Sequence, residues 1–237
     1  MLRKGSTPAQ VFAFTAKSVR TFRSGQERKM SFEYECSFIA QKSECVIFSM
    51  EYRLEISGIK LLLPQEDAYA ALLEIEKQAQ NYGADSSRFV VMGDSAGGEM
   101  AAALSILSRE RGGPDIVDQI LCYPCVGFEE AHGQEEVGSL VPLIFPAEGR
   151  EELMNRPYIS PILDPCIHKT PPTMIIIGTC DFLLDDVLRY ARRLVDAGVE
   201  VDFRLYQGMI HGFIQMGTKP GLDSLQQISS KLAAVYS

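Results

Sequence analysis

The chain has 237 residues, of which 46% are hydrophobic and 23% are charged, a composition typical of a globular protein with enough chain for one large domain. Its 23 Lys and Arg stand against 31 Asp and Glu, which gives a formal net charge of −8. The composition excludes a disordered or collagen-like chain. The negative charge argues against nucleic acid as a partner because an acidic surface repels phosphate backbones.

From residue 44 onward, short apolar runs alternate with amphipathic segments, the pattern of βαβ units around a mostly parallel sheet. The predicted elements in chain order are a strand at 45–52, a helix at 65–81, a strand at 88–93, a helix at 96–109, strands at 120–123 and 173–178, a helix at 185–197, a strand at 201–206 and a helix at 222–236. The sequence therefore predicts one α/β domain over residues 1–237.

The segment from 127 to about 170 interrupts this alternation. It holds five prolines and is too long for an ordinary connection between elements. We therefore expect a small cap or lid inserted into the sheet topology.

The six cysteines are expected to be thiols, because a chain of this length needs no disulfides to fold. Cys122 and Cys125 have the spacing of a redox pair, but they follow an apolar run without a helix N-terminus that would lower the pKa of a thiol. Without a second cysteine pair a zinc site is not supported either. We expect buried structural cysteines, no metal and no cofactor.

The N-terminal residues contain only a short apolar run, 11–14, which is too short for the core of a signal peptide. No window of the sequence approaches the ~20 apolar residues that cross a bilayer. We therefore expect no stable membrane insertion and a cytoplasmic location.

Residues 93–97 read Gly-Asp-Ser-Ala-Gly and match the pattern G-x-S-x-G. This pattern marks a nucleophile elbow, in which a serine occupies a strained turn between a strand and a helix, and small residues on either side avoid a collision. A predicted strand precedes the pattern, a predicted helix follows it, and Gly98 would let that helix pack closely. Ser95 is thus the candidate nucleophile, with a structural serine in a tight turn as the alternative.

A serine nucleophile needs a base, and the chain has three histidines. His132 and His168 lie in the irregular segment and are expected to be solvated. His211 follows the predicted strand 201–206, at the carboxyl end of a parallel strand, where open α/β sheets bind their ligands. His211 is therefore the candidate base.

The base needs a carboxylate that orients it. Asp181 follows the predicted strand 173–178, again at a carboxyl end. Asp185 and Asp186 compete for this role, but they are expected in the first turn of the next helix, where the helix dipole favours acidic residues. The order Ser95, Asp181, His211 is the order that α/β-hydrolases use.

At these residues the sequence resembles the hormone-sensitive-lipase-like branch of the α/β-hydrolase fold, which includes the arylacetamide deacetylase-like carboxylesterases. Residues 93–98 match its elbow, residues 51–54 (Glu-Tyr-Arg-Leu) resemble the start of its Tyr-Arg-Leu-Ala-Pro-Glu segment, and residues 208–213 (Gly-Met-Ile-His-Gly-Phe) resemble its histidine loop. The resemblance covers about residue 31 to the C-terminus and implies a three-layer α/β-hydrolase. The elbow residues beside Ser95 are Gly93, Asp94, Ala96, Gly97 and Gly98.

The chain also departs from this family pattern. The family carries a His-Gly-Gly-Gly loop whose N–H groups form most of the oxyanion hole, and by spacing it should fall near residues 20–25. These residues read Arg-Thr-Phe-Arg-Ser-Gly, so we expect residues 1–30 to be an atypical, shortened N-terminal segment. The Ala96 N–H remains as one oxyanion donor, and losing another donor costs about 10² to 10³ in rate.

The leading hypothesis is a serine carboxylesterase that hydrolyses small or short-chain esters through Ser95, His211 and Asp181 and an acyl-enzyme. The alternative is an impaired, hydrolase-like protein that binds a small ligand without turnover because its oxyanion hole is incomplete. Thiol redox chemistry at Cys122 and Cys125 is a third reading. By resemblance to the family, a homodimer would be unsurprising.

Overall fold

A seven-stranded sheet runs through the computed structural model, which describes residues 10–14, 20–22, 32–50, 63–128, 141, 145 and 147–236. Its strand order is β2-β3-β1-β4-β5-β6-β7. The strands are β1 (Gln10–Phe14), β2 (Arg20–Phe22), β3 (Val46–Met50), β4 (Phe89–Asp94), β5 (Ile116–Cys122), β6 (Thr173–Gly178) and β7 (Val201–Tyr206). Among the described strands only the pairing of β2 with β3 is antiparallel, so the carboxyl ends of the other six lie on one side of the sheet, here called the shared edge.

Six α-helices in the described part of the chain cover this sheet. They are α1 (Phe32–Ser43), α2 (Leu63–Gln78), α3 (Ala96–Arg111), α4 (Arg150–Met154), α5 (Leu184–Asp196) and α6 (Lys219–Val235). Helix α1 packs against α6, and α2 packs against α3. The strands β3 and β6 are buried along their whole length, as expected of a parallel sheet between two helical layers. This is the predicted three-layer α/β architecture.

The predicted elements from residue 44 onward are all present, with shifts at their ends. Helix α2 stops at Gln78, and a 3₁₀ turn (Ala79–Tyr82) then leads to Gly83, whose φ of 68° ends the helical stretch as glycine does readily. Strand β5 begins at Ile116, four residues before the predicted strand, because Asp118 and Gln119 interrupt the apolar run in the sequence but are buried and paired with β4 in the sheet.

Three elements near the N-terminus were not predicted. Strands β1 and β2 have five and three residues, too few for a clear period. Helix α1 did leave a signal, since its buried residues Cys36, Ile39, Ala40 and Ser43 have helical spacing.

Residues 20–25 lie where, by spacing, the family's oxyanion loop should fall, and the structure describes the first three of them. Residues Arg20–Phe22 form β2, and Thr21 is paired with Phe48 of β3. An edge strand of the sheet therefore occupies this position. The remaining atypical N-terminal residues, 1–9, 15–19 and 23–30, and the motif at 51–54 lie outside the described residues.

The segment predicted as a cap is described in part. Residues 129–140, 142–144 and 146, which include His132, lie outside the described residues. The rest contains the short helix α4 and two 3₁₀ turns, Pro161–Leu163 and Ile167–Lys169. The Arg109 guanidinium of α3 donates to both oxygens of the buried Asp164, at 2.8 and 3.0 Å, and ties the end of this segment to the body. No described helix is both long and apolar enough to cross a membrane.

Candidate active site

The serine of the G-x-S-x-G pattern lies on an abrupt turn between β4 and α3. Ser95 has φ 54° and ψ −118°, a region that non-glycine residues rarely adopt. Hydrogen bonds to neighbouring segments hold this backbone: Ser95 N–H donates to Cys122 O at 2.9 Å, and Cys125 N–H donates to Ser95 O at 3.3 Å, which also accepts from the first turn of α3. The strained conformation turns the Oγ towards the shared edge of the sheet.

Two glycines allow the turn to be this tight. A Cβ atom on Gly93 would lie 2.1 Å from the carbonyl oxygen of Gly97, and one on Gly98 would lie 2.8 Å from Cβ of Pro124. The first distance is far below van der Waals contact and involves backbone that cannot swing away. Gly93 is therefore required by the turn itself, and Gly98 by the packing of α3 on the segment after β5.

Ser95 and two other predicted site residues meet in one hydrogen-bonded chain. With the imidazole proton on Nδ1, Ser95 Oγ donates to His211 Nε2 at 2.8 Å, and His211 Nδ1 donates to both oxygens of Asp181 at 3.0 and 3.1 Å. The tautomer follows from the carboxylate at Nδ1. This arrangement can move a proton from a serine hydroxyl to an imidazole while a carboxylate keeps that imidazole oriented.

Burial and a second hydrogen bond fix the carboxylate of Asp181. Its side chain is fully buried, and Oδ1 also accepts from the Leu183 N–H at 2.9 Å. The competing acids are elsewhere: Asp185 is exposed, and Asp186 pairs with Arg189 in the first turn of α5. Among the described acids, Asp181 is the one hydrogen-bonded to His211.

Two aromatic rings flank the imidazole and were missed at the sequence level. The ring centroids of Tyr123 and Phe182 lie 4.9 and 4.7 Å from that of His211. Tyr123 has a φ of 38°, and its N–H donates to Ile176 O at 2.6 Å. The available signal was that Tyr123 ends a predicted strand and Phe182 follows the candidate acid, but ring orientation depends on backbone angles that the sequence does not show.

A close backbone approach joins the acid loop, residues 178–181, to the base loop, residues 206–211. A Cβ on Gly178 would lie 2.0 Å from the carbonyl oxygen of Met209. The Cys180 N–H donates to that same oxygen at 3.0 Å, and the Gly208 N–H donates to Thr179 Oγ1 at 2.8 Å. Gly178, at the carboxyl end of β6, is therefore another residue that the sequence reasoning missed.

A second carboxyl group lies next to the elbow. Asp94 Oδ2 accepts from Gln215 Nε2 at 2.6 Å. The pKa of Asp94 is raised to about 7, mainly by burial and also by the Glu35 carboxylate, against the opposing effects of His211 and the Gln215 donor. Burial also raises the pKa of Glu35, whose Oε2 has no hydrogen-bond partner among the described residues.

The remaining candidates are less suited to chemistry. His168 is exposed in the 3₁₀ turn before β6, at the amino end of that strand and away from Ser95. Burial raises the pKa of Cys125 to about 12 and that of Cys122 still further, so neither provides a thiolate near neutral pH. These pKa shifts oppose thiol redox chemistry at this pair.

Ala96 is the first residue of α3. The first N–H groups of a helix have no acceptor within the helix. Its N–H is thus suitable as an oxyanion donor beside Ser95, and a second donor is not identified among the described residues.

Comparison with known proteins places this geometry in context. The esterase LipI of Mycobacterium tuberculosis is 30% identical over 189 residues, which cover 76% of this chain and 59% of LipI. The ethyl acetate hydrolase of Pseudomonas putida is 28% identical over 197 residues, covering 77% of this chain and 60% of the hydrolase. The chain spans about three fifths of the length of these curated relatives.

Solved structures show the same fold. A hyperthermophilic esterase from the archaeon Pyrobaculum calidifontis aligns with a TM-score of 0.79 and 28% identity over 98% of this chain and 78% of the esterase. The carboxylesterase EstE1, cloned from a metagenomic library, aligns with a TM-score of 0.80 and 25% identity over 99% of this chain and 82% of EstE1.

The profile of a family described as having the alpha/beta hydrolase fold matches residues 26–215. This match covers most of the chain, including both strand ends that carry the candidate acid and nucleophile. The chain belongs to the α/β-hydrolase family, in the hormone-sensitive-lipase-like branch that its elbow and histidine loop resemble.

Proposed function

We propose that this protein is a serine carboxylesterase that hydrolyses small or short-chain carboxylic esters. The observation that carries the proposal is the unbroken hydrogen-bonded chain from Ser95 Oγ through His211 to the buried Asp181. A serine hydroxyl alone is a poor nucleophile, and a hydrogen-bonded series of a serine, a histidine and a carboxylate activates it in acyl transfer.

In the acylation step, Ser95 Oγ forms a bond to the acyl carbon while its proton moves to His211 Nε2. The Ala96 N–H stabilises the oxyanion of the tetrahedral intermediate. When that intermediate collapses, the carbon–alkoxide bond breaks and the leaving alcohol takes the proton from Nε2. A water molecule then attacks the acyl-enzyme by the same route, releasing the acid and restoring Ser95. No step requires a metal or a cofactor.

The substrate class is supported by the names of the relatives. LipI is named an esterase, NlhH of Mycobacterium tuberculosis a carboxylesterase, and the Pseudomonas putida relative an ethyl acetate hydrolase. These names have ester hydrolysis in common; one of them specifies carboxylic esters and another a short-chain ester.

The test is covalent labelling together with turnover. The wild-type protein is expected to react with a fluorophosphonate probe at Ser95 and to hydrolyse p-nitrophenyl acetate. Ser95→Ala should abolish labelling and lower kcat by at least about 10³-fold. Ser230→Ala, at an exposed serine of α6, is the matched control and should behave as wild type.

The same experiment separates the esterase from a hydrolase-like binding protein. An impaired relative would bind a short-chain ester in calorimetry without labelling or turnover. If wild-type protein and Ser95→Ala are equally unlabelled and inactive, the esterase proposal is wrong.

Three further expectations belong to this proposal. Residues 127–170 form the cap over the site, the protein is cytoplasmic, and it forms a homodimer as the resemblance allows. Sedimentation analysis of the purified chain tests the last of these directly.

A further inference from the structure

Gln215 connects the segment that carries the candidate base to the elbow that carries the candidate nucleophile. It lies in the 3₁₀ turn Phe213–Met216, four residues after His211. Its Nε2 donates to Oδ2 of Asp94, the last residue of β4 and the neighbour of Ser95. Two hydrogen bonds, Ser95 to His211 and Gln215 to Asp94, therefore join the same two segments of chain.

A hydrogen bond and a buried ring order the turn between His211 and Gln215. Gly212 has a φ of 78°, and the Gln215 N–H donates to its carbonyl oxygen at 3.1 Å. Phe213 is fully buried and fixes the middle of the turn. Because Gln215 lies only four residues after His211, a shift of this turn relative to Asp94 would move the imidazole relative to the serine oxygen.

The other contacts of the base loop hold it to the segment that carries Asp181. The bonds to Met209 O and from Gly208 N–H hold the loop to the acid-bearing residues 179–180, before His211 in the chain. They fix the distance from the imidazole to Asp181. The Gln215–Asp94 bond fixes the loop on its other side, towards Ser95.

We propose that Gln215 and Asp94 form a positioning pair that sets the distance between His211 Nε2 and Ser95 Oγ. This inference rests on the proposed catalytic role of Ser95 and His211. Neither residue of the pair needs to contact substrate. Because reactivity depends steeply on the placement of the base, loosening the pair should lower kcat and leave KM nearly unchanged.

The test first breaks the hydrogen bond between Gln215 and Asp94 and then restores it in the opposite direction. Gln215→Glu places a second carboxyl group against Asp94, and at pH 8 the two should repel each other. Asp94→Asn combined with Gln215→Glu restores one amide and one carboxylate in opposite positions. Gln226→Glu adds the same charge at an exposed site on α6 and serves as the matched control.

With p-nitrophenyl acetate at pH 8, Gln215→Glu is expected to lower kcat about tenfold with KM within about twofold, and the double variant should recover most of that loss. Gln226→Glu should match wild type, and circular dichroism should show all variants folded. A merely structural pair would change the melting temperature without this split between kcat and KM.

If wild-type protein labels at Ser95 and Gln215→Glu retains full kcat, or if the double variant is no better than Gln215→Glu, the positioning pair is refuted while the esterase stands. If the wild-type protein itself neither labels nor turns over, the proposed function fails first and the pair fails with it.

Discussion

Glu99 lies one turn after Ser95 in α3, and its carboxyl group is buried against α2. Gln65 Nε2 donates to Glu99 Oε1 at 3.3 Å, while Gln65 Oε1 has no hydrogen-bond partner in the described part of the chain. Burial raises the pKa of Glu99 to about 8, and the Gln65 donor opposes this only in part. A protonated Glu99 can donate to the free oxygen of Gln65, and an ionised one cannot.

The sign of the pH effect follows from linkage. The pKa of Glu99 is higher in the folded protein than in the unfolded chain, where it is close to 4.5. Its contribution to stability is therefore complete below about pH 4.5 and is lost progressively as the pH rises to about 8. Each pH unit inside that window removes about 1 kcal/mol, which amounts to several kcal/mol over the whole window.

Glu99→Gln removes this titration and supplies an N–H donor for Gln65 Oε1 at every pH. We expect the variant and the wild type to unfold at similar urea concentrations at pH 5. The variant should gain about 1 kcal/mol over wild type per pH unit between pH 5 and 8. Urea unfolding followed by circular dichroism at each pH measures this difference, and other buried carboxyls such as Asp94 cancel because both proteins contain them.

Glu110→Gln is the matched control, because Glu110 is exposed on the same helix. Its difference from wild type should not change with pH. If the Glu99→Gln difference is equally flat across pH 5 to 8, Glu99 is ionised in the folded protein and the reasoning is refuted.

Three further variants test the packing around the site. Gly178→Ala should lower kcat by at least about 10²-fold, since its Cβ would lie 2.0 Å from Met209 O and displace the base loop; wild-type kinetics would contradict the close approach. Arg109→Met should lower the free energy of unfolding by about 3 kcal/mol, because it leaves the buried Asp164 without its bidentate partner; denaturant titration measures this, and a loss below about 1 kcal/mol would count against it. Tyr123→Phe should keep both stability within about 1 kcal/mol and kcat within about threefold, since its hydroxyl forms no hydrogen bond of good geometry with a described residue, although the Gln215 side chain lies near it; a large loss in either would reveal a bond to that hydroxyl.

The common location of the candidate nucleophile, base and acid could be predicted from the sequence, because each of them follows a strand whose apolar run is easy to recognise. In a parallel sheet the carboxyl ends of strands meet at one edge, so Ser95, Asp181 and His211 could be assigned to the same place without coordinates. The exclusion of Asp185 and Asp186 followed in the same way from their place at the start of a helix.

The supporting residues could not be found by this reasoning. Gly178 is required by Met209, which is 31 positions away, and Gln215 contacts Asp94 across 121 positions. Such contacts depend on how closely two loops approach after the sheet has formed. The apolar period of a strand or helix specifies which face is buried, but it does not specify these distances.

The junction of Gly178 with Met209 also has a consequence for the exchange of loops between related hydrolases. Because the two backbones touch where a side chain would not fit, the acid loop and the base loop have to be exchanged together. A chimera that receives residues 206–211 from a relative with its own residues 178–181 left behind would misplace the imidazole, whereas a graft of both segments together would preserve it. Recombination at this edge of the sheet is therefore expected to succeed for the paired loops and to fail for either one alone.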